Sequence, residues 1–541
     1  MRVCLVYPNV YRLGMSNLGF QSAYHLFNSL DGCVCERAFL PEVVDIEEFL
    51  RTETPLFSHE SFTPLKDFDV VAFSIPFEDD YVNVPKILGL AGIPVNAAER
   101  GDGKPIVMAG GAAVSLNPEP LSGFMDLFLI GEGEGAIERL IEGYVVADDK
   151  RLTKDKTLSR LDAIESVYIP SLYEFKYDGV KITGRVDKAK HKVTASKNFT
   201  LDGLPIPRSF ITTPDAEFKG AFLAEIERGC GRGCRFCAAG FLYLPPRFRG
   251  LDEVKEIIKD GARITGKAGL VGAAISEYPE LKELLAFGAG LCVEMTLSSL
   301  RADMLDAELA GLLKKTGYKT LTIAPEAGSR RLRQVINKNI TDGQILEAAR
   351  LAAEAGFNRI KLYFLVGLPT ETDEDADAIV ETVKNIKEIF KKGNIALSVN
   401  PFIPKPVTPF QWTALEDIET LEKRVSIIKK GLQKTLGIEV KAMALKEALF
   451  QAYLARADRR AGELICEASE KGVKQALKKY ASFIAQSVHR QREKDELLPW
   501  DIIAHGVRKT YLWKEYNKGL EALETPPCEV GACFRCGVCS G

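Results

Sequence analysis

The pattern that most narrows the fold of this 541-residue chain is an alternation of short apolar runs with amphipathic stretches, and it occurs twice. From residue 1 to about 145 the runs are RVCLVYP, CVCERAF, VVAFSIP, PIVMAGG and LFLIGEG, most of them closed by glycine or proline. Apolar runs of this length, each followed by a helix-like segment, predict the strands of a parallel α/β sheet. Turn chemistry then falls at the carboxyl ends of the strands, the edge where open α/β sheets bind ligands. The alternation returns near residue 218 with FLAEIER, AGLVGAAIS, CVEMTLSS, TLTIAPE, RIKLYFLVG and NIALSVNP. Six units in under 200 residues fall short of the eight strands and ~250 residues of a closed barrel. The pattern therefore predicts an open, partial (β/α)6 barrel.

Residues 146–217 are polar, with DKAKHKVTASKN and the proline-bounded LPIPRSF, and read as a connector holding a few strands. Beyond PKPVTPFQW the chain turns to amphipathic helices, among them LEDIETLEKRVSIIKKGLQKTL and VKQALKKYASFIAQSVHRQREKDELL. The expected organisation is a Rossmann-like domain at 1–145, a connector at 146–217, a partial barrel at 218–412 and a helical domain at 413–541. A chain this long requires several cores. Its 71 basic and 74 acidic residues leave a formal charge of −3, which gives no electrostatic case for nucleic acid or an anionic membrane as partner. Trp500 and Trp513 read as packing residues and not as a base-stacking platform. No apolar run approaches a bilayer span, and Met1 opens into a strand-like segment instead of a signal peptide, so a cytoplasmic protein is expected.

Twelve cysteines in such a chain point to metal or redox chemistry where they cluster. Cys4, Cys33, Cys35, Cys292 and Cys466 are scattered, and Cys4 and Cys292 sit in apolar runs that predict buried small hydrophobes. Cys230, Cys234 and Cys237 form C-x3-C-x2-C in ERGCGRGCRFC, directly after the first barrel strand, where βα loops carry catalytic groups. Three thiolates on a four-iron cluster leave one iron open to another ligand. A structural zinc site wants four ligands, and no histidine lies nearby to supply the last. Gly229, Gly231 and Gly233 let the backbone approach an anionic centre, and Arg232 and Arg235 bring positive charge. Cys528, Cys533, Cys536 and Cys539 form C-x4-C-x2-C-x2-C, a complete ligand set for a second iron–sulfur cluster or for zinc.

GCGRGCRFC, with Phe236 just before its third cysteine, resembles the cluster motif of radical S-adenosylmethionine enzymes, and the six-unit barrel agrees with that family. The resemblance implies a [4Fe–4S] cluster on Cys230, Cys234 and Cys237 and S-adenosylmethionine on the open iron. It further implies reductive cleavage to a 5′-deoxyadenosyl radical, with flavodoxin or ferredoxin as reductant. Carried over by motif, it implies S-adenosylmethionine contacts at Phe236, at Ser276 and Glu277 in AAISEYPE, and at Ser298 and Arg301 in TLSSLRAD. Further contacts are implied at Glu326 and Ser329 in IAPEAGS and at Val366 and Gly367 in LVGLPTET.

MAGGAAVSLNPEPLSGFMDLFLIGEGE, together with YPNVYRLGMSNLGFQ and the late CGVC, resembles the cobalamin-dependent branch of the family. This implies cobalamin near Ser74, Gly110, Gly111, Gly131, Glu132 and Gly133. The Asp-x-His-x-x-Gly motif is absent, and His25 and His59 stand in other settings, so the cobalt would lack a protein histidine below it. The function implied is methylation of an unactivated carbon in an unidentified peptide, protein side chain or small molecule. The alternatives are a cobalamin-independent radical enzyme of methylthiolation or rearrangement, and a non-catalytic iron–sulfur or zinc protein.

Overall fold

A computed structural model describes residues 1–147, 153–218 and 220–540, and the part of the expected connector at 148–152 lies outside them. The first five apolar runs form β1 (Arg2–Tyr7), β2 (Val34–Phe39), β3 (Val70–Ser74), β4 (Ile106–Gly110) and β5 (Leu127–Leu129). They pair in parallel in the order β2-β1-β3-β4-β5, and β6 (Val167–Tyr168) adds an antiparallel edge. The strands are apolar on both faces because both faces are covered. Phe20 and Phe27 of the helix Leu18–Asn28 and Ile137 and Ile141 of the helix Ala136–Ala147 pack on one side. Val84 and Ile87 of Asn83–Leu90 pack on the other, joined by Tyr453 of Leu445–Arg456 and Leu464 of Ala461–Lys471. Helices from far down the chain thus complete the covering of the first sheet. Strand order reverses between β1 and β3, and a crevice opens at such a switch point beyond the carboxyl ends.

A hairpin of β7 (Tyr173–Asp178) and β8 (Lys181–Asp187) follows, and β9 (Val193–Thr194) pairs with the distant Ile503–Ala504. The barrel begins at β10 (Phe222–Glu225), after which β11 (Glu227–Arg228) pairs antiparallel with β12 (Arg247–Phe248). β13 (Lys267–Val271) and β14 (Glu294–Leu297) continue from β10 in parallel. β15 (Thr320–Glu326), β16 (Arg359–Val366), β17 (Asn394–Pro401) and β18 (Ile438–Ala442) form a second parallel set. A parallel bridge from Leu300 to Ile323 joins the two sets into one arc. Arg208 pairs antiparallel with Ala224 on β10, and among the described strands none pairs β10 with β18, so the arc is open. In β16 Ile360, Leu362, Phe364 and Val366 are buried against the outer helices, while Lys361, Tyr363 and Leu365 are half-buried toward the lumen. That period of two is what a strand with one face on a core and one on an open channel requires.

The structure departs from the sequence expectation at three places. β18 is a seventh parallel strand in a stretch expected to be helical; its five residues alternate between half-buried and exposed, which leaves little apolar signal. The single helix expected from Val473 onward is two, Val473–Lys479 and Ala481–Val488, parted at Tyr480. The break lets Tyr480 and Phe483 pack against the core under the first sheet. Cys292 is exposed, in a left-handed turn (φ 56°) before β14, and not a buried hydrophobe. Cys4, Cys33 and Cys35 are buried. Trp500 is buried and donates to Gln411 (2.7 Å), and Trp513 packs edge-on against Trp412 (5.1 Å). No helix among the described residues is long and apolar enough to cross a membrane.

Candidate functional site

The cysteine loop leaves β11 at Gly229, whose φ of 86° is left-handed and where a Cβ would stand 2.2 Å from the carbonyl oxygen of Tyr243. Only glycine fits there. The amide of Cys237 donates to the carbonyl of Cys234 (3.1 Å) and that of Gly240 to the carbonyl of Cys237 (3.2 Å), so the thiols sit on consecutive turns. Burial pushes the Cys230 thiol up to about 12, and the neighbouring Cys234 and Cys237 add to the rise. Cys237 is pushed up to about 11 by burial and then by Cys234. A metal centre binding Cys230 and Cys237 would displace the protons that burial holds on them. Among the described residues no three His, Cys, Asp or Glu side chains converge as a single metal ion requires. The C-x3-C-x2-C trio supplies three thiolates, the ligand number of a cluster with one iron left open.

Around this loop the two arginines do different work from that expected. Arg235 is fully buried and points away, donating to the carbonyls of Gln334 (2.9 Å), Val335 (3.0 Å) and Leu523 (2.6 Å) and to Glu515 (3.1 Å). Arg232 donates to Glu277 (2.6 Å), and Arg301 stands 3.9 Å from the same carboxylate. Glu277 is therefore already paired, and the Arg301 amide lies 3.4 Å from the Ser276 hydroxyl in the same group. Phe236 packs against a core that includes Phe241 and Trp412. Glu326 ends β15 at a register shift, in a left-handed conformation (φ 68°), with its carboxylate 3.6 Å from Lys338. Burial raises its pKa, and the charges of both Glu326 and Lys338 reach Cys237. A strained, half-buried acid whose charge reaches a loop thiol is the pattern of a functional position. Ser298 is exposed in the lumen, its hydroxyl 3.5 Å from the Gly272 carbonyl.

Ser329, Val366 and Gly367 have structural duties in the fold. The Ser329 hydroxyl caps Arg330–Val335 by accepting from the Leu332 amide, and it donates to Asp375. Val366 is buried in the barrel core. Gly367, at φ 84°, donates its amide to Glu371, and a Cβ there would stand 2.7 Å from Leu421.

A cavity of about 450 Å³ lies at the switch point of the first sheet. Ser74, Gly110, Gly111, Gly131, Glu132 and Gly133 all line it. Its opposite wall is the barrel: Glu225, Glu227, Arg228, Gly229 and Tyr243 line the same space. Leu5, Leu26, Phe27 and Met108 supply apolar surface, and no histidine lines it. His25 is instead stacked on Phe210, with ring centroids 3.9 Å apart. An apolar chamber edged by strand-end glycines suits a flat macrocycle with no axial histidine. The glycines serve the chain first: a Cβ on Gly131 would meet the Ser196 carbonyl oxygen at 2.2 Å, and one on Gly111 that of Ile75 at 2.6 Å.

Glu132 and Glu134 turn to protein partners. Arg228 bonds Glu132 (2.8 Å), Glu134 (2.8 Å) and Glu225 (2.9 Å), and Arg247 reaches Glu132 at 2.9 Å. This buried network ties the last glycine turn of the sheet to the strand that precedes Cys230. Glu227, beside it, accepts from the Ala274 amide and is pushed up to about 7 by burial, then by the charges of Glu277 and Glu225. Sequence reasoning missed Glu227, Arg228 and Tyr243; a charged pair closing an otherwise apolar barrel strand was the available signal.

A family model described as the radical SAM superfamily matches residues 225–383, and one described as radical SAM proteins, N-terminal, matches residues 19–170. An uncharacterised protein of Methanocaldococcus jannaschii is 33% identical over 459 residues, 84% of this chain and 88% of that protein. An uncharacterised methyltransferase of Pyrococcus horikoshii is 24% identical over 212 residues, 36% of this chain and 44% of that protein. The solved structure of the cobalamin-dependent S-adenosylmethionine radical enzyme OxsB with aqua-cobalamin bound is similar in fold at a TM-score of 0.51 and 15% identity. That match covers 89% of this chain and 61% of that one.

Proposed function

The chain belongs to the radical S-adenosylmethionine superfamily, and on that premise we propose that it is a cobalamin-dependent enzyme that methylates an unactivated carbon. The observation that carries this reading is the shared chamber. One wall is the ligand edge of the first sheet, at Ser74, Gly110 and Gly111, and the other ends at Gly229, immediately before Cys230.

Cys230, Cys234 and Cys237 would hold a [4Fe–4S] cluster able to supply the electron that cleaves a sulfonium, and the chamber would hold cobalamin as the source of a transferable methyl group, chemistry that proteins delegate to cofactors. The chain's own residues hold and exclude. Glu326 with Lys338, Ser276 with Arg301, and Ser298 offer polar groups around the barrel lumen. Leu5, Phe27 and Met108 offer an apolar floor to the chamber. The Arg228 network ties the two walls together. Glu227 faces the chamber with one oxygen held by the Ala274 amide; it is placed to accept a hydrogen bond from the acceptor molecule. The electron comes from a reduced flavodoxin or ferredoxin.

The test is anaerobic reconstitution followed by a visible spectrum for corrinoid and an assay for 5′-deoxyadenosine after reduction. The intact chain is expected to retain added cobalamin through gel filtration and to form 5′-deoxyadenosine, and Cys234→Ala to form none. Product from Cys234→Ala would overturn the cluster assignment; a colourless apoprotein that takes up no corrinoid would overturn the methyl transfer.

A further inference from the structure

We propose that Cys528, Cys533, Cys536 and Cys539 hold an iron–sulfur cluster that delivers the electron to the Cys230–Cys237 loop. This rests on the reading that the loop carries the S-adenosylmethionine-cleaving cluster.

The segment that bears these cysteines is built onto the loop. The Cys528 amide donates to the carbonyl of Gly231 (2.7 Å), and a Cβ on Gly231 would stand 3.3 Å from the Cys528 Cβ, so the contact leaves little room there. Asn337 clamps both pieces: its amide group donates to the carbonyls of Arg232 and Gly233 (both 3.2 Å) and of Thr525 (3.1 Å), and its oxygen accepts from the Thr525 amide (2.9 Å). Buried Arg235 reaches from the loop to the Leu523 carbonyl (2.6 Å). Cys536 is buried beside Trp412, Tyr516 and Val538, and its carbonyl accepts from the Arg508 amide (2.9 Å).

The thiols themselves suit a multi-iron centre. Cys528 lies within electrostatic reach of Cys533, Cys536 and Cys539. With the spacing C-x4-C-x2-C-x2-C they supply four thiolates, a full ligand set for such a centre. Arg535 donates through Nε to the Cys533 sulfur (3.0 Å), placing a cation on one ligand of an anionic centre. Phe534 and Arg535 are exposed while Cys528 touches the loop, so the segment spans from solvent to the active centre. The path inward is short: Cys528, one hydrogen bond, Gly231, and the adjacent Cys230.

In the step proposed, a low-potential one-electron donor of the ferredoxin or flavodoxin type loses one electron to the C-terminal cluster, which passes it to the loop cluster. The loop cluster would give it to the sulfonium, whose bond to the 5′ carbon would break to methionine and the 5′-deoxyadenosyl radical. Both clusters return to their starting state, with the donor oxidised by one electron and the sulfonium reduced by one.

The experiment is iron and zinc analysis with electron paramagnetic resonance on the anaerobically reconstituted full chain, Cys533→Ala, Cys539→Ala and Cys234→Ala. Two cubane clusters predict about eight irons per intact chain and about four in each variant. In reduced Cys234→Ala the remaining signal should ignore added S-adenosylmethionine. The rate driven by reduced ferredoxin, divided by that driven by titanium(III) citrate, should fall about tenfold in Cys533→Ala. About four irons with one zinc in the intact chain would overturn the proposal without any variant, as would an unchanged rate ratio. Full iron in Cys234→Ala would instead overturn the loop reading, so the two failures are distinct.

Discussion

His505 is a neutral imidazole sealed between the first sheet and the C-terminal region, with Nε2 2.7 Å from the Ser115 carbonyl oxygen. Burial pushes its pKa down from 6.5 to about 4. Between those values the unfolded chain binds a proton that the folded chain refuses, so stability rises with pH across this window and is lost as pH falls through it. A shift of this size corresponds to about 3 kcal/mol. The difference in urea midpoint between the native chain and His505→Gln is therefore expected to narrow, or to change sign, as pH falls from 7 to 4. A difference independent of pH would show that the imidazole is not held neutral. The residue scale also explains which site groups the sequence displayed. The three loop cysteines lie within eight residues, so their chemistry is local and legible. Glu227 and Arg228 look like ordinary strand-end charges until the fold sets Glu132 and Glu134 against them.

Among the elements, the strands were legible where their pattern was strong and bounded. TLTIAPE and NIALSVNP match the ends of β15 and β17, because apolar residues alternate cleanly up to a proline or a charged residue. β18 was not legible, since only Ile438 and Val440 carry apolar bulk on an edge strand. The cavity could not be read at all, because its walls come from strands more than a hundred residues apart, here Leu5, Gly110 and Glu227. Sequence reasoning assigned the strand-end glycines to a ligand, whereas the structure gives them a prior role in letting backbones meet. Gly131 has a φ of 100° and its amide is fixed by the Ser115 hydroxyl (3.0 Å), with Ser196 packed against it. Gly131→Ala is expected to cost about 3 kcal/mol from strained backbone and the Ser196 clash. Chemical denaturation would check this; a loss below about 0.5 kcal/mol would mean that the contact opens freely.

For the whole molecule the decisive feature is that neither half of the site is complete alone. Arg228 joins them, and removing it leaves Glu132 and Glu134 buried and Glu225 half-buried, with Arg247 beside Glu132 and Arg249 beside Glu225 as the remaining cations among the described residues. Arg228→Met is expected to destabilise by about 3 kcal/mol, since breaking one partner of a buried ion network strands the others. Calorimetry should also show the first sheet melting apart from the barrel more than it does in the native chain; a melting profile identical to the native one would show that the network holds nothing together. A last consequence concerns the order of synthesis. Arg235 takes its partners Glu515 and Thr525 from 280 and 290 residues downstream, so the barrel emerges from the ribosome long before its cysteine loop can be braced. Iron delivery that ran ahead of translation would meet an unsupported loop, and maturation is expected to wait for the finished chain.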